Sequence, residues 1–80
     1  MTNQRLHIQV FGQLSEILGS TGVDIPFFAD TNELRKWLLT EYPALDKLPF
    51  LIAVDKKVSQ TNTPLNENAV IALLPPFSGG

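Results

Sequence analysis

Apolar and polar positions alternate near the start of the chain. In Arg5-Leu6-His7-Ile8-Gln9-Val10-Phe11, one face of an extended segment carries Leu6, Ile8 and Val10, and the other carries His7, Gln9 and Phe11. A period of two predicts a half-buried strand. Gly12 ends it. Residues 13–18 form a short helix using Leu14, Ile17 and Leu18, with Gly19 placed to close it. Ser20-Thr21-Gly22 reads as a turn. Val23, Ile25 and Phe27 then alternate again, giving a second strand that pairs with the first as a hairpin-like arm.

The period changes after Asp30. Asp30 and Glu33 have the spacing of a capping box, with Thr31 as the alternative cap. Leu34, Trp37, Leu38 and Tyr42 follow at helical intervals, so residues 31–42 are the main helix, its face formed by Leu34, Leu38 and Trp37, and Pro43 stops it. After a loop containing Pro49, residues 50–55 read as a buried strand, Lys56 and Lys57 as a turn, and residues 58–60 as a short strand. Residues 61–68 are polar and carry Pro64, so they form a loop anchored by Leu65; residues 69–74 are the last strand. A mixed sheet with one main helix packed across one face satisfies this order, an α+β architecture suited to a chain too small for a third layer.

Composition narrows the picture. Eighty residues make a single domain spanning 1–80, and a chain of that size buries only roughly 60–65% of the surface it exposes unfolded. The net charge is −2 and the six Lys and Arg residues form no cluster, so neither nucleic acid nor an anionic membrane is expected as a partner. There is no cysteine, which excludes a disulfide scaffold, a thiolate metal site and a Cys nucleophile. Met1-Thr2-Asn3-Gln4 leads into the first strand without an apolar targeting segment, and a soluble cytoplasmic protein is expected.

Internal catalysis has little to work with. His7 is the sole histidine, a solvent-facing strand residue with no acid partner at a recognisable spacing, and the acidic residues are dispersed, so no metal ligand set is expected. Gly19-Ser20-Thr21-Gly22 lacks the lysine of a phosphate loop, and Trp37 reads as core.

The end of the chain is different. It reads Leu74-Pro75-Pro76-Phe77-Ser78-Gly79-Gly80, and a terminal Gly-Gly arises by chance in roughly one chain in two hundred. Pro75 and Pro76 favour an extended path that carries residues 75–80 away from the domain as a tail. Six residues reach about 20 Å at full extension. Gly79 and Gly80 have no Cβ and can pass a narrow channel. A terminal carboxylate is ionised in the cell and a poor electrophile, so it needs activation, for which adenylation by ATP is the usual route. The tail reads as a substrate for another protein's active site.

The last strand supports a partner as well. Val70, Ala72 and Leu74 lie on one face, Ile71 and Leu73 on the other, and all are apolar. One helix covers only one face of a sheet. Either loops cover the second face, or it is a docking surface to which Phe11 and Phe77 contribute. Ile71 and Leu73 are the strand residues expected to meet the partner.

Together these residues resemble the small, sulfur-carrying subunit of molybdopterin synthase, within the ubiquitin-like sulfur carriers of β-grasp fold. The resemblance runs through Val10-Phe11-Gly12-Gln13-Leu14, Leu34-Arg35 with Trp37-Leu38, Ala53-Val54-Asp55 and Pro64-Leu65. It is most specific at Pro75-Pro76-Phe77-Ser78-Gly79-Gly80, close to the Pro-Pro-Val-Ser-Gly-Gly ending of that subunit. Three positions depart from it: Asp55 stands where Asn is commoner, Ser15 where some members carry Arg, and Asn66-Glu67-Asn68 lacks the usual Gly and Asp, leaving Asn to take any positive φ.

The resemblance implies that an E1-like enzyme adenylates Gly80 with ATP and that a sulfur donor converts it to a thiocarboxylate. It further implies that the chain docks on the synthase large subunit as a heterotetramer and donates sulfur to a cyclic pyranopterin monophosphate precursor. The chain would bind no cofactor itself, and the catalytic residues would lie on the large subunit. Pro75, Pro76, Phe77 and Ser78 would contact the partner. The alternatives are a thiamine-pathway sulfur carrier, sharing fold and tail, and a ubiquitin-like interaction module without sulfur chemistry.

Overall fold

The alternation at residues 5–10 becomes β1 (Arg5–Val10), whose side chains are exposed and buried in strict turn. The computed structural model describes residues 5–76. After β1 come a short helix α1 (Leu14–Leu18), β2 (Gly22–Pro26), the long helix α2 (Thr31–Glu41), a 3₁₀ segment (Pro43–Lys47), β3 (Leu51–Val54), β4 (Lys57–Val58) and β5 (Val70–Leu74). The strands form one mixed sheet in the order β2-β1-β5-β3-β4. β1 and β5 are parallel, with Ile8 beside Ile71; the β1–β2, β3–β5 and β3–β4 pairs are antiparallel. The architecture is the expected α+β β-grasp arrangement, with α2 across one face.

The core lies between that face and α2. Leu34 and Leu38 of α2 are fully buried with Leu6, Ile8, Ile25, Ile52, Ile71 and Leu73. Trp37 is only partly buried, in an aromatic group with Phe28 (5.6 Å between ring centroids) and Tyr42 (6.3 Å). The 3₁₀ segment was not anticipated. Pro43 ends α2 but has the φ to start another turn, and that turn buries Leu45.

Asp30 is the α2 cap: its Oδ1 accepts from the Glu33 N–H at 3.0 Å, while Thr31 is buried as the first helical residue. The neighbouring free N–H groups are also satisfied. Thr31 N–H donates to Thr63 O (3.0 Å) and Asn32 N–H to Asn62 Oδ1 (2.9 Å). In return, Thr63 N–H donates to Thr31 Oγ1 at 2.9 Å, and Leu65 N–H to Ala29 O at 2.8 Å. The polar stretch at 61–68 is therefore laced to the start of α2, supplying the partners that a helix N-terminus lacks.

β4 begins earlier than its apolar residue suggested. Asp55 (φ 51) and Lys56 (φ 73) form a two-residue turn with both φ positive, so pairing resumes at once with Lys57 opposite Val54. Asp55 N–H donates to Val70 O (2.8 Å), and Val70 N–H donates to Asp55 Oδ1 (3.0 Å), clamping this turn to the start of β5. An Asp tolerates that backbone and supplies the acceptor. At Asn66-Glu67-Asn68 no φ is positive; Asn66 instead closes the turn with its side chain, its Oδ1 accepting from Asn68 N–H at 2.8 Å.

Truncating Leu38 to Ala should lower stability by about 2–5 kcal/mol, because a fully buried leucine leaves a cavity under the sheet. Asp30→Ala should lower it by about 0.5–2 kcal/mol through loss of the cap. Urea unfolding followed by circular dichroism measures both; equal losses would contradict the assigned difference between core and cap.

Candidate functional site

β5 is the central strand, hydrogen-bonded to β1 on one side and β3 on the other, and it runs directly into Pro75. The pairing extends past β1, since Phe11 N–H donates to Leu73 O at 3.0 Å. Gly12 then turns the chain aside with φ +63, and a Cβ there would lie 3.0 Å from Pro75 Cγ. Pro75 is accordingly half-buried against Gly12 and Pro76 is exposed. The base of the tail is held, and not free of the domain as the two prolines alone suggested. A groove of about 360 Å³ lies beside this base, lined by Gly12, Gln13, Leu14, Leu48, Pro49 and the two prolines. Ser15 secures the same turn, its Oγ donating to Gly12 O at 2.8 Å. Phe77, Ser78, Gly79 and Gly80 lie outside the described residues.

The sheet face opposite α2 carries the second candidate element, and here the expectation is corrected. Ile71 and Leu73 are 0% exposed and point into the core, so they cannot meet a partner. Side chains alternate along a strand, so Val70, Ala72 and Leu74 take the outer face. Val70 is 52% exposed. Register aligns these residues in rows: Leu51 opposite Leu74, and Val58 opposite Ala53, which is opposite Ala72. Phe11, at 46% exposure, and Val58 complete the exposed apolar side chains of the face. Of the two readings for the second face, no loop among the described residues covers Val70. The sequence named Val70, Ala72 and Leu74 as one of two apolar faces of β5, but periodicity does not show which face α2 takes; the alignment of Leu51 and Val58 with them rests on strand register.

His7 does have an acid partner. Cross-strand register puts His7 opposite Asp24, and His7 Nδ1 lies 2.7 Å from Asp24 Oδ1. Seventeen residues separate them, a spacing that only the β1–β2 pairing makes meaningful. The imidazole lies over Gly22, where a Cβ would meet Nε2 at 3.1 Å. Both members are mostly exposed, so the pair is an outer-face feature beside Val70 and adds little to stability. Among the described residues no group of His, Asp or Glu side chains forms a metal-ligand set, and no helix is long and apolar enough to cross a membrane.

A mixed sheet gripping one helix, an apolar opposite face and a proline-stiffened exit from the central strand define a ubiquitin-like β-grasp domain. Solved structures share it. The small archaeal modifier protein SAMP1 from Haloferax volcanii matches with a TM-score of 0.74 at 20% identity over 95% of this chain and 99% of that one. SAMP1 from Methanosarcina acetivorans matches with 0.75 at 20% identity over the full length of both. In sequence, the ThiS family model matches residues 8–80. The molybdopterin synthase sulfur carrier subunit of Caenorhabditis elegans is 32% identical over 94% of this chain and 96% of its own length. Its counterpart in Caenorhabditis briggsae is 34% identical over 88% and 90%. The chain belongs to the ThiS family and groups there with the molybdopterin synthase sulfur carrier subunits.

Gly12→Ala should destabilise the domain by about 1–3 kcal/mol, since it forces a side chain into a positive φ and into the Pro75 ring together. It should also displace the Pro75 resonances in a carbon-detected NMR spectrum. A stable variant with Pro75 unmoved would show that Gly12 does not seat the tail.

Proposed function

We propose that this chain is the sulfur-carrying subunit of a molybdopterin synthase and that its working group is the terminal carboxylate of Gly80. The observation that carries this reading is the continuity of three parts. An apolar outer face with Val70, Val58 and Phe11 exposed adjoins a tail base clamped at Gly12 and Pro75, which leads on to Gly79-Gly80. The nematode relatives bearing the molybdopterin name favour this pathway over the thiamine one.

The carboxylate of Gly80 attacks the α-phosphate of ATP held by an E1-like enzyme and displaces pyrophosphate. A donor that delivers sulfur at the sulfide level then attacks the acyl-adenylate carbonyl; the new C–S bond forms as the C–O bond to AMP breaks, AMP departs, and Gly80 carries a thiocarboxylate. The ATP belongs to the activating enzyme, and this chain binds no cofactor of its own. The loaded domain next docks on the synthase large subunit through Val70, Leu74, Leu51 and Phe11, with Pro75, Pro76, Phe77 and Ser78 threading toward the large subunit's active site. There the sulfur is delivered to the cyclic pyranopterin monophosphate precursor. The large subunit contributes acid–base groups, and this chain contributes the nucleophile and its positioning. We place the cycle in the cytoplasm, in a heterotetramer of two small and two large subunits.

Mass spectrometry of protein co-expressed with the activating enzyme should reveal replacement of one terminal oxygen by sulfur, and deletion of Gly80 should abolish it while leaving the melting temperature nearly unchanged. Absence of sulfur on the intact chain under those conditions would leave an interaction module without carrier chemistry. Val70→Asp and Phe77→Ala should each weaken large-subunit binding by about 1–3 kcal/mol, measured by calorimetry, because each removes apolar surface from the interface. Co-purification with a thiazole synthase in place of a molybdopterin synthase large subunit would transfer the carrier to the other pathway.

A further inference from the structure

A five-stranded open sheet has two edges, and an edge strand offers unpaired N–H and C=O groups to any extended chain. Here the edges are β4, only two residues long, and β2, five residues long. β2 is the longer template. Which of its backbone groups face outward follows from register. Val10 N–H donates to Thr21 O, so Val10–Thr21 is a hydrogen-bonded pair; by alternation Val23 and Ile25 also turn their backbone groups toward β1. Gly22, Asp24 and Pro26 turn theirs outward.

Most of those outward groups already have partners. Ser20 Oγ donates to Gly22 O at 2.8 Å and accepts from Gly22 N–H at 3.1 Å, occupying both groups of that residue with one hydroxyl. Arg5 reaches across from β1, its Nη2 donating to Asp24 O at 3.2 Å. Pro26 has no N–H. Among the described residues, only the Asp24 N–H and the Pro26 carbonyl on this edge have no side chain over them, too few to template a ladder. None of this chemistry serves the core or the tail.

We infer that Ser20 and Arg5 close the β2 edge against strand addition and thereby keep a second copy of this chain from pairing there. Partner contact is then confined to the outer sheet face and the tail, where a carrier domain presents its apolar residues. Edge pairing between copies would be isologous, β2 against β2 in antiparallel register, and would need the Gly22 N–H and carbonyl and the Asp24 carbonyl that these two side chains occupy.

The test is the Arg5→Ala/Ser20→Ala double variant, studied as the full chain by sedimentation equilibrium and amide NMR across a concentration series. The expected result is self-association at least about tenfold stronger than that of the wild type, with concentration-dependent shifts and slowed exchange at the Gly22 and Asp24 amides. Ser20→Thr, which keeps the hydroxyl, should restore the wild-type behaviour in the Arg5 background. A double variant with a native spectrum and an unchanged mass-against-concentration curve would overturn the inference. So would association whose shifts fall on Val70 and Leu74. If the double variant loses its native spectrum, Ser20→Ala alone should still speed Gly22 amide exchange in dilute solution, and an unchanged rate there would equally overturn it.

Discussion

The strand β5 is hydrogen-bonded on both sides, and almost everything else about the molecule depends on that placement. Its register with β1 sets Ile71 against Ile8 and Leu73 against Val10, which seals the sheet side of the core. The same register forces Val70, Ala72 and Leu74 outward. A slip of one residue would exchange the two sets and expel two fully buried side chains, so the exposed apolar face is the inevitable counterpart of the core and cannot relax away. Because Pro75 follows the end of this strand, the base of the tail is anchored at the most constrained part of the domain.

Around that strand, local devices hold the periphery with polar contacts in place of buried area. Asp55 clamps Val70 through both its backbone and its carboxylate, which fixes where the outer face begins. Gly12 admits the Pro75 ring and fixes where the tail begins. The 61–68 segment carries few apolar residues, yet it is ordered by bonds to the first turn of α2. A domain of 80 residues without a disulfide has limited core to draw on. These contacts let loops that bury little still adopt one arrangement.

The two faces of the sheet differ sharply in what they bury. One face is buried under α2 and the other leaves Val70 exposed, with the His7–Asp24 pair bordering its apolar rows. The long edge is occupied by the side chains of Ser20 and Arg5. Apolar surface displayed on a sheet with an open edge would be an aggregation hazard; displayed on a sheet with a closed edge, it is restricted to face-on docking.

The sequence by itself determined the elements and the architecture, because strand and helix periods, a cap at Asp30, and Gly19 and Pro43 as stops act over a few residues. It also carried the tail, whose Pro-Pro and Gly-Gly chemistry needs no tertiary context to be read. What lay beyond it were pairings between distant segments. The inward face of β5, the meeting of His7 with Asp24, the seat of Pro75 on Gly12 and the lacing of residues 61–68 onto α2 all depend on register and close approach. The 3₁₀ turn that buries Leu45 depends on its packing against α2. Only the folded structure decides these, because each joins residues that local pattern treats as independent.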